Sequence, residues 1–185
     1  MIRLLRYFHY LLRMPRTYGF GVQSPFAYRF IRQVVHGGNG FPCGDSLELL
    51  LSGASKCERR LLLVVLKLAL YSHADTCFMP SKYIDSPFGK MLRGLHIKPV
   101  SQLPLLDKVQ LAIVSTDYSD YGLLLDRMLA NGVLLVDGIH AGKKSYGFWK
   151  LLLADKRTFV TFDLFDIGVI FFDPKMYKRN YRCNY

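Results

Sequence analysis

Along the first fourteen residues the apolar positions Ile2, Leu4, Leu5, Phe8, Leu11 and Leu12 fall on one side of a helical wheel, with Arg3, Arg6, Tyr10 and Arg13 on the other. The chain is therefore predicted to open with an amphipathic, basic helix, which Pro15 ends. Residues 17–23, with Gly19 and Gly21, read as a loop leading to Ser24-Pro25, a capping serine followed by proline at the first helical position. A second helix is predicted from there to about His36, where Gly37, Gly38 and Gly40 break it. Asp45 with Glu48 and Ser55 with Glu58 each place an acceptor three residues ahead of a glutamate, the spacing of a capping box. They predict two further helices, the second reaching about Tyr71.

From Ala74 the pattern changes to short apolar runs alternating with helical stretches, as in a parallel sheet covered by helices. Strands are predicted over 75–79, 97–100, 109–115, 132–137, 158–163 and 168–172. Helices fill the gaps: Ser86-Pro87 opens one that Gly94 closes, Ser119 or Asp120 opens another that Asn131-Gly132 closes, and 144–154 forms a third. Only residues 164–167 separate the last two strands, too few for a crossover helix, so these are expected to form an antiparallel hairpin at one edge of the sheet. The fold class is thus α/β. A helical arm and cover over 1–72 precedes a sheet-bearing body over 73–185, the two forming one compact unit.

Composition agrees with a folded domain: 185 residues, 51% of them hydrophobic and 21% charged, exclude a disordered tail or a collagen-like repeat. The net charge of +11 is unevenly placed. Arg3, Arg6, Arg13, Arg16, Arg29 and Arg32 precede the first acid, Asp45, and Lys175, Lys178, Arg179 and Arg182 follow the last, Asp173, while the stretch between is nearly neutral. Any attraction to an anionic partner belongs to the ends. Arg6, His9 and Arg13 interrupt the apolar run that an export signal would need, and the longest greasy stretch, 61–71, contains Lys67 and is too short to cross a bilayer. Cys43, Cys57, Cys77 and Cys183 are widely spaced, with no CxxC pair and no zinc-like cluster, so the expectation is reduced thiols in a cytoplasmic protein.

A parallel sheet ending in an antiparallel hairpin is typical of class I S-adenosylmethionine-dependent methyltransferases, a Rossmann-like fold. The sequence sharpens that analogy. GVLLVDGIHAGKKSYGFWKLL from Gly132, then TFVTFDLFDIGVIFF and the basic Met176 to Arg182, resembles the carboxy-terminal half of a bacterial methyltransferase family common in Bacteroidota, which reads close to DDIHWS, a helix with a Trp, and VTIDLFFLGLVFF. YGFGVQSPFAYRFI, Tyr18 to Ile31, is similar to the HGIHSPFVF segment of the same family.

The departures from that family fall where its cofactor would bind. After Phe78 the chain reads Met79-Pro80-Ser81-Lys82-Tyr83, without the glycine that lets a backbone approach a ligand, and Pro80 removes an amide donor. Between Ala74 and Val109 there is room for one further strand, whereas the family fits an additional strand and helix, including an acidic residue that holds the cofactor ribose. The family's FIDGNH aligns with Val114-Ser115-Thr116-Asp117-Tyr118, placing Ser115, or after a short slip Asp117, at its acidic position. Of DDIHWS, Asp137, Ile139 and His140 remain, while Gly138, Ala141 and Gly142 replace the rest. The resemblance thus leaves Ser81 and Ser115 as the residues at cofactor positions.

Candidate chemistry follows. His140, three residues after Asp137, could act as a base with Asp137 orienting it, with Asp117 beside them near a methyl acceptor; equally, His140 is a loop histidine, Asp137 caps a strand and Asp117 starts a helix. Gly19-Phe20-Gly21 and the glycines at 37–40 follow no predicted strand and lack the Lys-Ser/Thr of a phosphate loop, so they read as turns. Three functions stay open. The first is a methyltransferase-like pseudoenzyme with a degenerate cofactor site and an interaction or scaffolding role, through a protein partner or a second copy. The second is an active S-adenosylmethionine-dependent methyltransferase with a remodelled pocket. The third is a binder of membrane or nucleic acid acting through Arg3, Arg6, Arg13, Arg16, Lys175, Lys178, Arg179 and Arg182, with no specific nucleic-acid motif.

Overall fold

The structure, a computed structural model, describes Arg13, residues 23–37, Ser52, Gly53 and residues 56–184. The amino-terminal helix, apart from Arg13, and the helix predicted after Asp45 lie outside these residues.

Ser24 accepts a hydrogen bond from the Ala27 amide and Pro25 takes the first helical position of α1 (Pro25–Arg29), as the sequence signal requires. The helix then widens into a π-helical segment, Phe30–Val35, that places Phe30, Ile31, Val34 and Val35 in the core. Helix α2 (Lys56–Ser72) carries the buried Lys67, whose ammonium donates to the Gly37 carbonyl at 2.9 Å and whose pKa burial lowers. The body continues with β1 (Thr76–Phe78), the short α3 (Ser81–Ile84), α4 (Pro87–Gly94), β2 (Lys98–Val100) and β3 (Val109–Ser115). After these come α5 (Tyr121–Arg127), β4 (Met128–Asp137), α6 (Lys143–Ala154), β5 (Val160–Asp163), β6 (Ile167–Phe171) and β7 (Arg179–Arg182). Ser86 caps α4 through the Phe88 amide, again with proline next.

The seven strands form one sheet in the order β2-β1-β3-β4-β6-β5-β7. Pairing is parallel throughout except for β6, which runs antiparallel to both β4 and β5. The mostly parallel, Rossmann-like α/β sheet with a carboxy-terminal antiparallel hairpin is therefore present. Alternation along the strands builds two cores: Leu111, Ile113, Val133 and Leu135 face α1, the π-helical segment, α2 and α4, while Ala112, Val114, Leu134 and Val136 face α5 and α6.

Two expectations are corrected. The hairpin does not end the sheet, because β7 adds in parallel to the outer side of β5; its residues, Arg-Asn-Tyr-Arg, lack apolar alternation, and pairing with β5, with Tyr181 stacked on Phe162, recruits them. The helix from Asp120 stops at Arg127, four residues before Asn131, because Met128 already pairs with Val109 ahead of a register shift. Helix α4 starts after Ser86 and ends at Gly94, as the sequence places it, and the left-handed residue beyond it is His96, at φ 61°.

Gly168 on β6 lies under the Trp149 ring, and a β-carbon there would sit 2.5 Å from Trp149 Cζ3. Trp149 is itself almost fully buried. Gly168→Ala is therefore expected to destabilise the fold by about 1–3 kcal/mol, lowering the urea midpoint. An unchanged midpoint would show that the indole has room to retreat.

Candidate functional site at the carboxyl ends of the strands

Strands β1, β3, β4 and β5 point the same way, so Phe78, Ser115, Asp137 and Asp163 end on one edge of the sheet. The chain moves outward from β1 to β2 and then crosses back to β3, making the crevice between the ends of β1 and β3 the topological switch point, where doubly wound sheets take their ligands.

Lys82, on α3 just after β1, spans that crevice. Its ammonium lies 2.7 Å from Ser115 Oγ and 3.0 Å from both carboxylate oxygens of Asp117, on the far wall. The Ser115 hydroxyl also donates to Asp117, and together hydroxyl and ammonium hold that carboxyl below its usual range. Both charged side chains are largely exposed, so the ion pair contributes only a few tenths of a kcal/mol to about 1 kcal/mol. Backbone matters more. Pro80 offers no amide where the turn passes the crevice, Ser81 begins α3 exposed to solvent, and the chain after β2 carries Ser101 and Gln102 where a ribose-binding carboxylate would stand. The residues present do not fit S-adenosylmethionine in the manner the resemblance implies.

Asp137 adjoins this group, paired with Ser115 across β3 and β4. The Tyr83 hydroxyl donates to Asp137 Oδ2 at 3.4 Å; burial raises the Asp137 pKa and pushes the Tyr83 phenol up to about 12. Gly138 follows at φ 77°, a conformation glycine adopts without strain, and this is where the family carries its second aspartate.

His140 is partnered by Asp163, not by Asp137. Its Nε2 lies 2.9 Å from Asp163 Oδ2, and its ring is stacked between Tyr146 and Phe165. Arg13 completes the arrangement: Nη1 donates to Asp163 Oδ1 at 2.7 Å, Nη2 to Oδ2 at 3.2 Å, and Nη2 lies 3.3 Å from His140 Nε2. In the tautomer with its proton on Nε2, the imidazole donates to the carboxylate and its lone pair is on Nδ1. Phe165, at φ 81°, turns its amide onto Asp163 Oδ1 at 3.0 Å. The side chains of Arg13 and Asp163 are only 11% and 5% exposed, so this is a buried pair. Burial pushes the Asp163 pKa up, but the bonds from His140 and Arg13 with the guanidinium charge outweigh it, and the net direction is down.

Of the residues the sequence singled out, Ser115 and Asp117 come together with Lys82, Asp137 pairs with Tyr83, and His140 pairs with Asp163. Ser81 joins none of these groups among the described hydrogen bonds. Arg13 turns inward onto Asp163, while Lys175, Lys178, Arg179 and Arg182 stay exposed. The sequence reading passed over Asp163, Lys82 and Tyr83, and gave Arg13 an anionic surface as its partner where the structure gives it Asp163. The signal for Asp163 was one carboxylate among apolar strand residues, which cannot be buried without a cationic or hydrogen-bonding partner. Cys183 adjoins it, its thiol pushed up to about 12, mainly by burial.

No protein-family model matches the chain, and no curated protein matches it. Among solved structures, a Staphylococcus aureus protein described provisionally as a caffeoyl-CoA O-methyltransferase aligns over 88% of this chain and 96% of its own, with 11% sequence identity and a TM-score of 0.38. Likeness at that level leaves the site to be read from its own residues. No helix among the described residues is long and apolar enough to cross a membrane.

Arg13→Ala would strand a buried carboxylate and is expected to cost about 3 kcal/mol at pH 7. Because the folded pKa of Asp163 is depressed, the pair's contribution is full above the unfolded value of about 3.9 and is lost as pH falls through the folded value. Urea unfolding of wild type and variant should therefore converge in acid, and a gap independent of pH would overturn this assignment. Asp137 has the opposite sign: its folded pKa is raised, so ionisation disfavours the folded state as pH rises above the unfolded value. Asp137→Asn should raise the urea midpoint at neutral pH, with the gain disappearing in acid; a lowered midpoint at pH 7 would contradict it.

Proposed function

We propose that this chain is a methyltransferase-like protein that no longer binds S-adenosylmethionine in the ordinary way and serves an interaction or scaffolding role. The observation that supports this reading is the switch-point crevice, bridged from wall to wall by Lys82, Ser115 and Asp117 beside a turn that contains proline and no glycine. A ligand's adenosine and carboxylate need backbone donors and close approach there. An exposed ion pair is displaceable, but a missing amide and a missing ribose acceptor are not restored by moving side chains.

The His140–Asp163 bond favours a second reading, in which the chain is an active methyltransferase with a remodelled pocket. A carboxylate that fixes the imidazole with its proton on Nε2 leaves Nδ1 to accept a proton from a substrate hydroxyl or amine. Holding the two reactants in line is the larger part of such a transfer, and the geometry for that is what the crevice lacks.

Calorimetric titration of the purified, cofactor-free protein with S-adenosylmethionine and S-adenosylhomocysteine separates the two. The expected outcome is no saturable binding up to about 1 mM ligand, a level that would reveal any interaction stronger than about −4 kcal/mol. Binding near one per chain at micromolar affinity would overturn the first reading. His140→Ala and Asp163→Asn should then both abolish transfer to whatever acceptor an activity screen identifies.

A further inference from the structure

The edge of the sheet opposite the candidate site carries a cavity of about 340 Å³ between the start of α1 and the segment that leads into β7. It opens at the amino end of β5, where Val160 and Arg179 pair across the strands, so the length of β5 separates it from Asp163 at the carboxyl end. Its volume is in the range of sites that take small organic ligands.

Two cations line it, Lys175 and Arg179, and neither side chain forms a hydrogen bond or ion pair with a described residue. The nearest acid in sequence, Asp173, turns one carboxylate oxygen onto the Lys175 amide, not onto its ammonium. The two other cations of the segment are oriented elsewhere. Lys178 donates to the Asp155 carbonyl and to Thr158 Oγ1 at 3.3 Å, and Arg182 donates to the Tyr146 hydroxyl at 3.3 Å. The remaining walls are mostly apolar, Pro25, Val160 and Met176 with the rings of Tyr177 and Tyr181, and Gln23 and Ser24 complete them. Tyr181 is braced by stacking on Phe162 at 5.2 Å, whereas Tyr177 is 90% exposed and offers its ring without a packed neighbour on most sides.

An ammonium and a planar guanidinium with no acidic partner, set at the rim of an apolar cavity, match an anion of nearly two charges attached to a compact apolar body. A phosphate monoester carries about −1.5 to −2 charge at pH 7 and three acceptor oxygens, which a single carboxylate does not. We propose that this cavity binds a small organic phosphate monoester with an aromatic or otherwise apolar body, its phosphate between Lys175 and Arg179 and its body against Met176 and the tyrosine rings. The site lies outside the crevice considered above and does not depend on whether that crevice takes a cofactor.

The test is titration of the full chain with phenyl phosphate, followed calorimetrically, with inorganic phosphate and phenol as part-ligands. Phenyl phosphate is expected to bind at least about tenfold more tightly than either part, since each supplies only half of the contacts. Lys175→Ala/Arg179→Ala should weaken it at least about tenfold, and Lys98→Ala, which removes an exposed charge from the far edge of the sheet, should leave it unchanged. Unfolding midpoints of both variants verify that they fold. Excess S-adenosylhomocysteine should not displace the ester; displacement would move the ligand to the switch point and overturn the assignment. Vesicles of phosphatidylcholine with and without phosphatidic acid separate a free ester from a lipid headgroup. Binding only to the phosphatidic-acid vesicles, with phenyl phosphate silent at about 10 mM, would replace the small-ligand site with a membrane surface. A comparable loss of affinity in Lys98→Ala and in the double variant would reduce the effect to net charge and overturn it.

Discussion

The carboxylate of Asp163 stands at the end of a strand buried on both faces, and a charge there is tolerable only if the chain brings it partners. Three segments do so. Arg13 comes from the amino-terminal region, His140 from the loop after β4, and the Phe165 amide from the hairpin turn, while the Cys183 amide after β7 bonds the backbone carbonyl of the same residue, Asp163. One buried charge therefore ties the amino-terminal region to the loops at one edge of the sheet. The hydrophobic alternation builds the layers, but it is indifferent to which loops meet at their ends. Asp163 is not indifferent, because leaving it unpaired costs more than any single apolar contact in the sheet contributes.

That arrangement also decides what the edge is available for. His140 is held by Asp163 and packed between Tyr146 and Phe165, and Asp137 is engaged by Tyr83, while the switch point is spanned by Lys82. Polar groups that would face a ligand in a doubly wound enzyme are here bonded to one another. The opposite edge is arranged the other way: its apolar cavity is rimmed by Lys175 and Arg179, cations left without acidic partners among the described residues. A fold with its customary crevice internally satisfied and a charged cavity elsewhere is physically suited to recognition at the second place.

Much of the architecture was legible along the chain because it rests on local rules. Ser24-Pro25 and Ser86-Pro87 mark helix starts through capping geometry, and the strand over Val109–Ser115 shows itself as an apolar run of the right length. That a single further strand fits between β1 and β3 follows from counting residues. What was not legible depends on pairing at a distance. β7 has no strand pattern of its own and exists because β5 presents an unpaired backbone edge. The early start of β4 depends on Val109 lying alongside Met128.

The same division holds at the site. Sequence alone determined that a histidine and an aspartate follow the fourth strand, that the first turn lacks glycine, and that basic residues collect at the ends; these are properties of residue type and order. Only the tertiary structure decided that His140 turns to Asp163 instead of Asp137, and that Arg13, 150 positions away, closes the other side of that carboxylate. It likewise decided that two of the carboxy-terminal cations meet at a cavity. The physical reason is that charge and hydrogen bonding act over a few ångströms in space, whereas the chain specifies only spacing along itself, and the two coincide only within a helix turn, a strand or a tight loop.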